Sequence, residues 1–168
     1  MKDSVRFFDH INSPIGKLCI VANDHALEWV QFSSTPNLFL QTHETMRQEP
    51  NDIIAATAMQ LAQYFQGTRT AFTIPYELPG TPFQQKVWSS LATIPYGATR
   101  SYKEQASLIG APRAIRAVAR TNGQNPLCII LPCHRVIGSD GSLTGYVGGL
   151  AVKQQLLSLE QQILSAAL

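Results

Sequence analysis

Within eight consecutive positions the chain places Pro75, Pro79, Gly80 and Pro82. A proline lacks the backbone N–H and fixes φ, so this cluster cannot sit inside a helix or a central strand and reads as a joint. The boundary falls near Pro79, giving an N-terminal α/β domain over residues 1–79 and a second domain over 80–168. The texture differs on its two sides, and that difference sets what each part can become.

Before the joint the chain reads as short strands: VRFFDHI, a turn at Asn12-Ser13-Pro14-Ile15-Gly16, KLCIVA, a polar turn at Asn23-Asp24-His25, and LEWVQF. Apolar runs this short, separated by turn residues, predict an antiparallel meander. Asn51 or Asp52 then caps a helix carrying Ile54, Ala58, Leu61 and Phe65 at helical spacing, and Gly67 closes it. Phe72-Thr73-Ile74-Pro75 alternates like one more edge strand.

After the joint, short helices take over. Thr81-Pro82-Phe83-Gln84 is a capping box with proline at the first helical position, and Phe83, Val87 and Leu91 are its expected buried stripe. Ser101-Tyr102-Lys103-Glu104 is a second capping box, opening a helix that Gly110 stops. Pro112 restarts a helix at once, running to about Asn122-Gly123, and the pair has the layout of a helix-turn-helix. Arg113, Arg116 and Arg120 share one face of this second helix, with Ile115 and Val118 expected on the other. The positions between are Ala114, Ala117 and Ala119, which let the backbone approach a phosphate-lined groove closely. The final helix carries Val152, Leu156, Leu159 and Ile163 as an apolar stripe together with Glu160, which by itself reads as solvated.

A formal charge of +2 and a pI near 8.5 are mild, so any basic surface is local. No apolar run approaches the roughly 20 residues that span a bilayer, and MKDSVRFFDH lacks a signal-peptide layout, so the expectation is a cytoplasmic protein without a membrane partner. Three cysteines, Cys19, Cys128 and Cys133, leave at least one free thiol. They and the four histidines show no zinc spacing, so neither metal nor other cofactor is expected.

Leu127-Cys128-Ile129-Ile130-Leu131 reads as a hydrophobic strand ended by Pro132, after which Cys133 and His134 stand side by side. Adjacent residues point in different directions, so any coupling of this thiol and imidazole needs a turn or a bridging water. An apolar setting raises a thiol's pKa, so a reactive Cys133 requires a base or cation, for which His134 and Arg135 are the local candidates. Cys128 reads as an inert core cysteine.

The motif PCHRV at Pro132 to Val136, preceded by Asn125-Pro126 and followed by Gly145-Tyr146 and Gly148-Gly149, resembles the O6-alkylguanine-DNA alkyltransferases. The likeness covers the second half of the chain, and the first half matches in outline through Ser13 to Leu18. It implies an α/β (α+β) fold: an N-terminal antiparallel sheet with a helix, ribonuclease H-like, and a C-terminal helical, winged-helix-like domain with the helix-turn-helix. It also implies a monomer that binds double-stranded DNA containing O6-alkylguanine. Such a protein moves the methyl of O6-methylguanine, and of O4-methylthymine, onto its own cysteine, a thioether that water cannot cleave.

Carried over by position, Cys133 would be the nucleophile, His134 its base through a water, Glu160 the carboxylate orienting that histidine, and Asn125 the residue holding the preceding segment. Tyr102 would help rotate the nucleotide out and protonate guanine N3, while Arg116 fills the gap in the stack. Tyr146 would wall the pocket, the backbone at Cys133 and Val136 would read the guanine amino edge, and the amide of Val147 would face O6. Ser101, Ala114, Arg120 and Lys153 complete the expected DNA-contacting set, with Arg113 as an auxiliary. Family members commonly have serine or alanine where this chain has Val147, which bears on the size of alkyl group accepted. A damage sensor without a nucleophile, a sequence-reading transcription factor and a multiple-turnover thiol hydrolase are the competing readings.

Overall fold

The run Leu18–Ala22 is apolar at every position, and in the computed structural model, which describes residues 4–35 and 45–168, it is the buried central strand β2 of a four-stranded sheet. β1 (Arg6–Ile11) and β3 (Leu27–Phe32) flank it antiparallel, as the sequence predicts. The β1–β2 turn closes through reciprocal backbone bonds of 3.1 Å between Ser13 and Gly16, with Gly16 at φ 115°. A fourth strand, β4 (Met46–Gln48), lies parallel to β1, so the sheet is mixed. With three residues and one buried face at most, β4 carries too little periodicity to be legible.

Asn51 caps α1 (Asp52–Phe65) by accepting from the Ile54 amide at 3.0 Å. Its buried stripe is Ile54, Thr57, Leu61 and Tyr64; Ala58 and Phe65 are half-buried. Phe72–Pro75 is not a strand. The Gln60 side chain takes over the ladder's role, accepting from the Thr73 amide at 2.9 Å and donating to its hydroxyl at 3.0 Å. Among the described residues this segment's pairing to the sheet is one bridge, Leu27 to Tyr76, because Pro75 can offer only its carbonyl.

The chain separates into two compact units, Met1–Leu78 and Pro79–Leu168. In the second, Thr81 and Gln84 form the reciprocal capping box of α2 (Pro82–Leu91), which buries Val87, Trp88, Ser90 and Leu91 and leaves Phe83 half-buried. β5 (Arg100–Ser101) pairs in parallel with β6 (Val136–Ile137). Ser101 and Glu104 form the second capping box, on α3 (Tyr102–Leu108). Gly110, at φ 75°, turns the chain into α4 (Ile115–Asn122).

This helix starts three residues later than its sequence suggests: Pro112 and Arg113 form a turn, and Ala114 caps without a side-chain bond. Ile115 therefore sits in the first, exposed turn, 37% accessible, and does not face the core as expected. Buried side chains fix the angle between α3 and α4. Gln105 and Asn122 exchange amide bonds of 3.1 and 2.6 Å, Gln105 also donates to Ser90 Oγ at 3.0 Å, and Trp88 donates to the Thr121 carbonyl at 2.7 Å. Gln105→Ala strands the Asn122 amide and should cost about 2–3 kcal/mol, lowering the melting temperature by roughly 5–10 °C. Thermal unfolding measures it; a shift under about 1 °C would show that the pair does not hold the helices.

The last helix, α5 (Leu150–Ala166), runs against the expectation for its inward face. Its buried residues are Lys153, Leu156 and Glu160, spaced as one stripe, while Val152, Leu159 and Ile163 are half-buried. Two ionisable groups thus point into the unit, and each has partners waiting.

Candidate active site

Leu127–Leu131, expected as a strand, is a tight turn. Leu131 N bonds to Leu127 O and Ile130 N to Cys128 O, both at 2.9 Å, and Ile129 adopts φ 73°, the left-handed region that a β-branched residue rarely enters. Asn125 staples the turn, accepting from the Leu127 amide at 3.0 Å and donating to the Leu131 carbonyl at 2.8 Å. That side chain offsets the strain by filling buried backbone bonds. Pro132 follows, and Cys133–Arg135 form one turn of 3-10 helix.

Cys133 is 5% exposed. Its thiol lies below the ordinary range: a side-chain hydrogen bond with Cys128 does most, burial opposes, and Asn125 and the charge of Lys153 add to the lowering. The cation facing the sulfur is therefore Lys153, and not Arg135 as the sequence suggested. Lys153 Nζ donates to the carbonyls of Val136 at 2.6 Å and Thr144 at 3.0 Å and to Tyr102 Oη at 3.4 Å. Burial holds its pKa down and the Cys133 charge pushes it back up.

The other half of the centre is the His134–Glu160–Arg135 cluster. His134 Nε2 lies 2.9 Å from Glu160 Oε1, and both side chains are 0% exposed. Arg135 donates to the same carboxylate from Nε at 2.9 Å and Nη2 at 2.8 Å, with Nη1 on the Ile94 carbonyl at 2.7 Å and the guanidinium over the Tyr96 ring. The Gly97 amide gives Glu160 a further bond at 3.1 Å. Burial alone would raise Glu160, but the bonds and charges of His134 and Arg135 bring it down to about 2. Glu160 is accordingly buried and ionised, the reverse of the solvated residue its sequence context implies.

Burial pushes His134 below its ordinary value, against the opposing pull of Glu160, so at neutral pH the imidazole is neutral. Bonding to an ionised carboxylate places its proton on Nε2. Nδ1 is then the basic nitrogen, and it is buried without a hydrogen-bond partner among the described residues.

Over the thiol, a cleft lined by Tyr102, Ala119, Asn122, Gly123, Cys133, Gly145, Tyr146 and Val147 leaves only about 10 Å³ free. That is room for about one water. The Tyr102 hydroxyl donates to the Thr144 carbonyl at 3.1 Å, tying α3 to the loop that carries Gly145 to Val147. Val136 offers a carbonyl already bonded to Lys153, and its own amide bonds to Cys133 O. A broader groove of about 1020 Å³, lined by Arg100, Lys103, Leu108 and Ile137 among others, does not include the thiol.

The structure thus brings Cys133, His134, Glu160, Asn125, Tyr102, Val136, Tyr146, Val147 and Lys153 around one centre. Arg116 and Arg120 are exposed on α4, and Arg113 and the half-buried Ala114 precede it. Ser101 Oγ is occupied as the α3 cap, accepting from the Glu104 amide at 3.0 Å. Sequence reasoning missed Arg135 as the partner of Glu160 and Cys128 as the partner of Cys133.

A thiol with a buried cation beside it, an oriented neutral imidazole and an adjoining helix-turn-helix define a class, the cysteine-nucleophile proteins built on a nucleic-acid-binding frame. Known proteins narrow it. The family model described as "6-O-methylguanine DNA methyltransferase, DNA binding domain" matches residues 82–162, and its "ribonuclease-like domain" counterpart matches residues 7–78. A methylated-DNA--protein-cysteine methyltransferase of Mycolicibacterium paratuberculosis is 47% identical over 161 residues, 94% of each chain. The crystal structure of Mycobacterium tuberculosis O6-methylguanine methyltransferase superposes with a TM-score of 0.85 at 44% identity, covering 94% of both chains. A structure of Mycobacterium tuberculosis OGT in complex with DNA matches with the same TM-score, identity and coverage. The chain belongs to the 6-O-methylguanine DNA methyltransferase family, and its mixed α/β fold is that family's fold.

Proposed function

We propose that this protein repairs O6-methylguanine in double-stranded DNA by transferring the methyl group once and irreversibly to Cys133. The observation that carries the reading is the placement of the Cys133 thiol at a small cleft, next to a buried histidine whose Nε2 lies 2.9 Å from Glu160 and whose Nδ1 has no hydrogen-bond partner among the described residues. His134 Nδ1 accepts the thiol proton through a bridging water, while Glu160, held by Arg135, keeps the Nε2 proton in place. The sulfur anion attacks the methyl carbon, the C–O6 bond breaks with its electron pair leaving on guanine, and a proton delivered to N3 by Tyr102 neutralises the departing base. The product thioether has no carbonyl for water to attack, so each molecule acts once.

The target atom lies inside the duplex, so the nucleotide rotates out at a cost of a few kcal/mol. Arg116 fills the gap from α4, and Arg113 and Arg120 bind flanking phosphates. A cleft with about 10 Å³ free does not hold a purine, so admission displaces the loop bearing Tyr146 and Val147. That step releases the Tyr102 hydroxyl from Thr144, freeing it to serve the base. The apolar Val147 favours methyl over bulkier groups, and O4-methylthymine, with the same methyl-on-oxygen chemistry, is a second substrate. In this reading residues 1–79 form an accessory α/β domain, and 80–168 bind DNA and accept the alkyl group as a monomer in the cytoplasm.

Intact-mass spectrometry after mixing the protein with excess duplex containing O6-methylguanine tests the proposal. The expected result is one added methyl per protein, on the peptide containing Cys133, with no further turnover. Release of free methylated base, or continued turnover, would overturn it.

A further inference from the structure

Cys128 is fully buried in an otherwise aliphatic run, and its thiol is hydrogen-bonded to the sulfur of Cys133. The backbone is bent to bring the two together: Cys128 bridges to Leu131, Cys133 N bonds to Leu131 O at 2.8 Å, and the turn between holds Ile129 at φ 73°. Strain at a β-branched residue costs on the order of 1–2 kcal/mol and persists where the surroundings over-determine it. Asn125 supplies that determination from both ends of the turn.

We propose that Cys128 is a positioning residue of the acceptor site, donating its S–H to the Cys133 sulfur and stabilising the anion that forms there when the thiol gives up its proton. The inference rests on Cys133 being the acceptor. A thiol is a weak donor to neutral partners, but a bond to an anion in a dry site is charge-assisted and stronger. The groups facing Cys133 are Lys153 from α5, Tyr102 from α3, Asn125 and Cys128 from the turn, and the neighbouring His134. Glu160 and Arg135 compensate each other. Of these, Lys153 shares its ammonium among two carbonyls and a hydroxyl and acts on the sulfur as a charge. Cys128 and Asn125 supply the bonds. After methylation the thioether is a poor acceptor, and the Cys128 donor loses its partner at the moment the protein is spent.

The test is the pH dependence of Cys133 carbamidomethylation by iodoacetamide in the full-length, DNA-free protein, resolved by peptide so that Cys19 and Cys128 are scored separately. Cys128→Ala should raise the Cys133 midpoint by about one pH unit and slow its reaction near neutrality roughly tenfold. Cys128→Ser, which retains a donor, should stay close to wild type. A midpoint unmoved in Cys128→Ala, or moved equally in Cys128→Ser, overturns the inference and reduces Cys128 to packing. If the alanine variant does not fold, Cys128→Val compared with Cys128→Ser reads the same contrast in a filled core. The acceptor assignment fails separately, if methylated duplex places its methyl on a peptide other than that of Cys133.

Discussion

Cys133→Ala protein mixed with methylated duplex gains no methyl, while its affinity for that duplex stays within a few-fold of wild type. The loss is complete because the other two thiols are sealed in the cores of their own units, Cys19 at 1% and Cys128 at 0% exposed, and neither lines the cleft. Binding survives because the arginines proposed to meet DNA are exposed on and before α4 and do not depend on the thiol. The fold survives too. Removing a buried sulfur leaves a small cavity, costing about 1–2 kcal/mol, and Lys153 keeps its bonds to Val136 and Thr144. Intact mass and a gel-shift titration on methylated and unmethylated duplex measure the two halves. Methyl gain in the variant would remove Cys133 from the chemistry; lost binding with an intact fold would mean that the thiol itself helps hold the base.

The capping boxes at Thr81 and Ser101 were legible because each is a local hydrogen-bond circuit complete within four residues. The strands β1 to β3 were legible because turn residues bound them. Leu127–Leu131 has the composition of a strand but is bent by Asn125, which acts through side-chain bonds that no periodicity displays. The start of α4 is hidden for a related reason, since Pro112 is compatible with a first helical turn, yet here it belongs to a turn closed by Ala114 N on Ala111 O. At the site, Cys133 and His134 stood out through their motif. The pairing of Glu160 with Arg135, and of Lys153 with Thr144 and Val136, joins residues many positions apart, and a charged residue in a helix looks solvated until its partner is known.

Glu160→Ala should strongly destabilise the protein, because the carboxylate neutralises Arg135 and orients His134 inside the unit. Among the described residues, removing it leaves a guanidinium 8% exposed with the Ile94 carbonyl and the Tyr96 ring as its remaining partners, and an imidazole with neither nitrogen bonded. Breaking a buried pair in this way costs about 3–5 kcal/mol. Alkyl transfer should fall with it, because an unoriented imidazole no longer presents Nδ1 as the base.

Acid titration separates this electrostatic role from packing. Glu160 drops from an ordinary 4.5 to about 2 in the folded protein, so its contribution is present above about pH 4.5 and is lost as pH falls from there toward 2. His134 is also held below its ordinary 6.5, so the unfolded chain binds its proton first, and stability begins to decline as pH drops below 6.5. Both groups make the wild-type protein weaken on acidification. Glu160→Ala should lie well below wild type at pH 7 and approach it as pH falls from about 4.5 toward 2, because over that range wild type progressively loses the carboxylate that the variant already lacks. Denaturant unfolding across that range measures the convergence. A variant whose deficit stayed constant from pH 7 to pH 3 would show that Glu160 contributes volume alone, and the charge-held orientation of His134 would have to be abandoned with it.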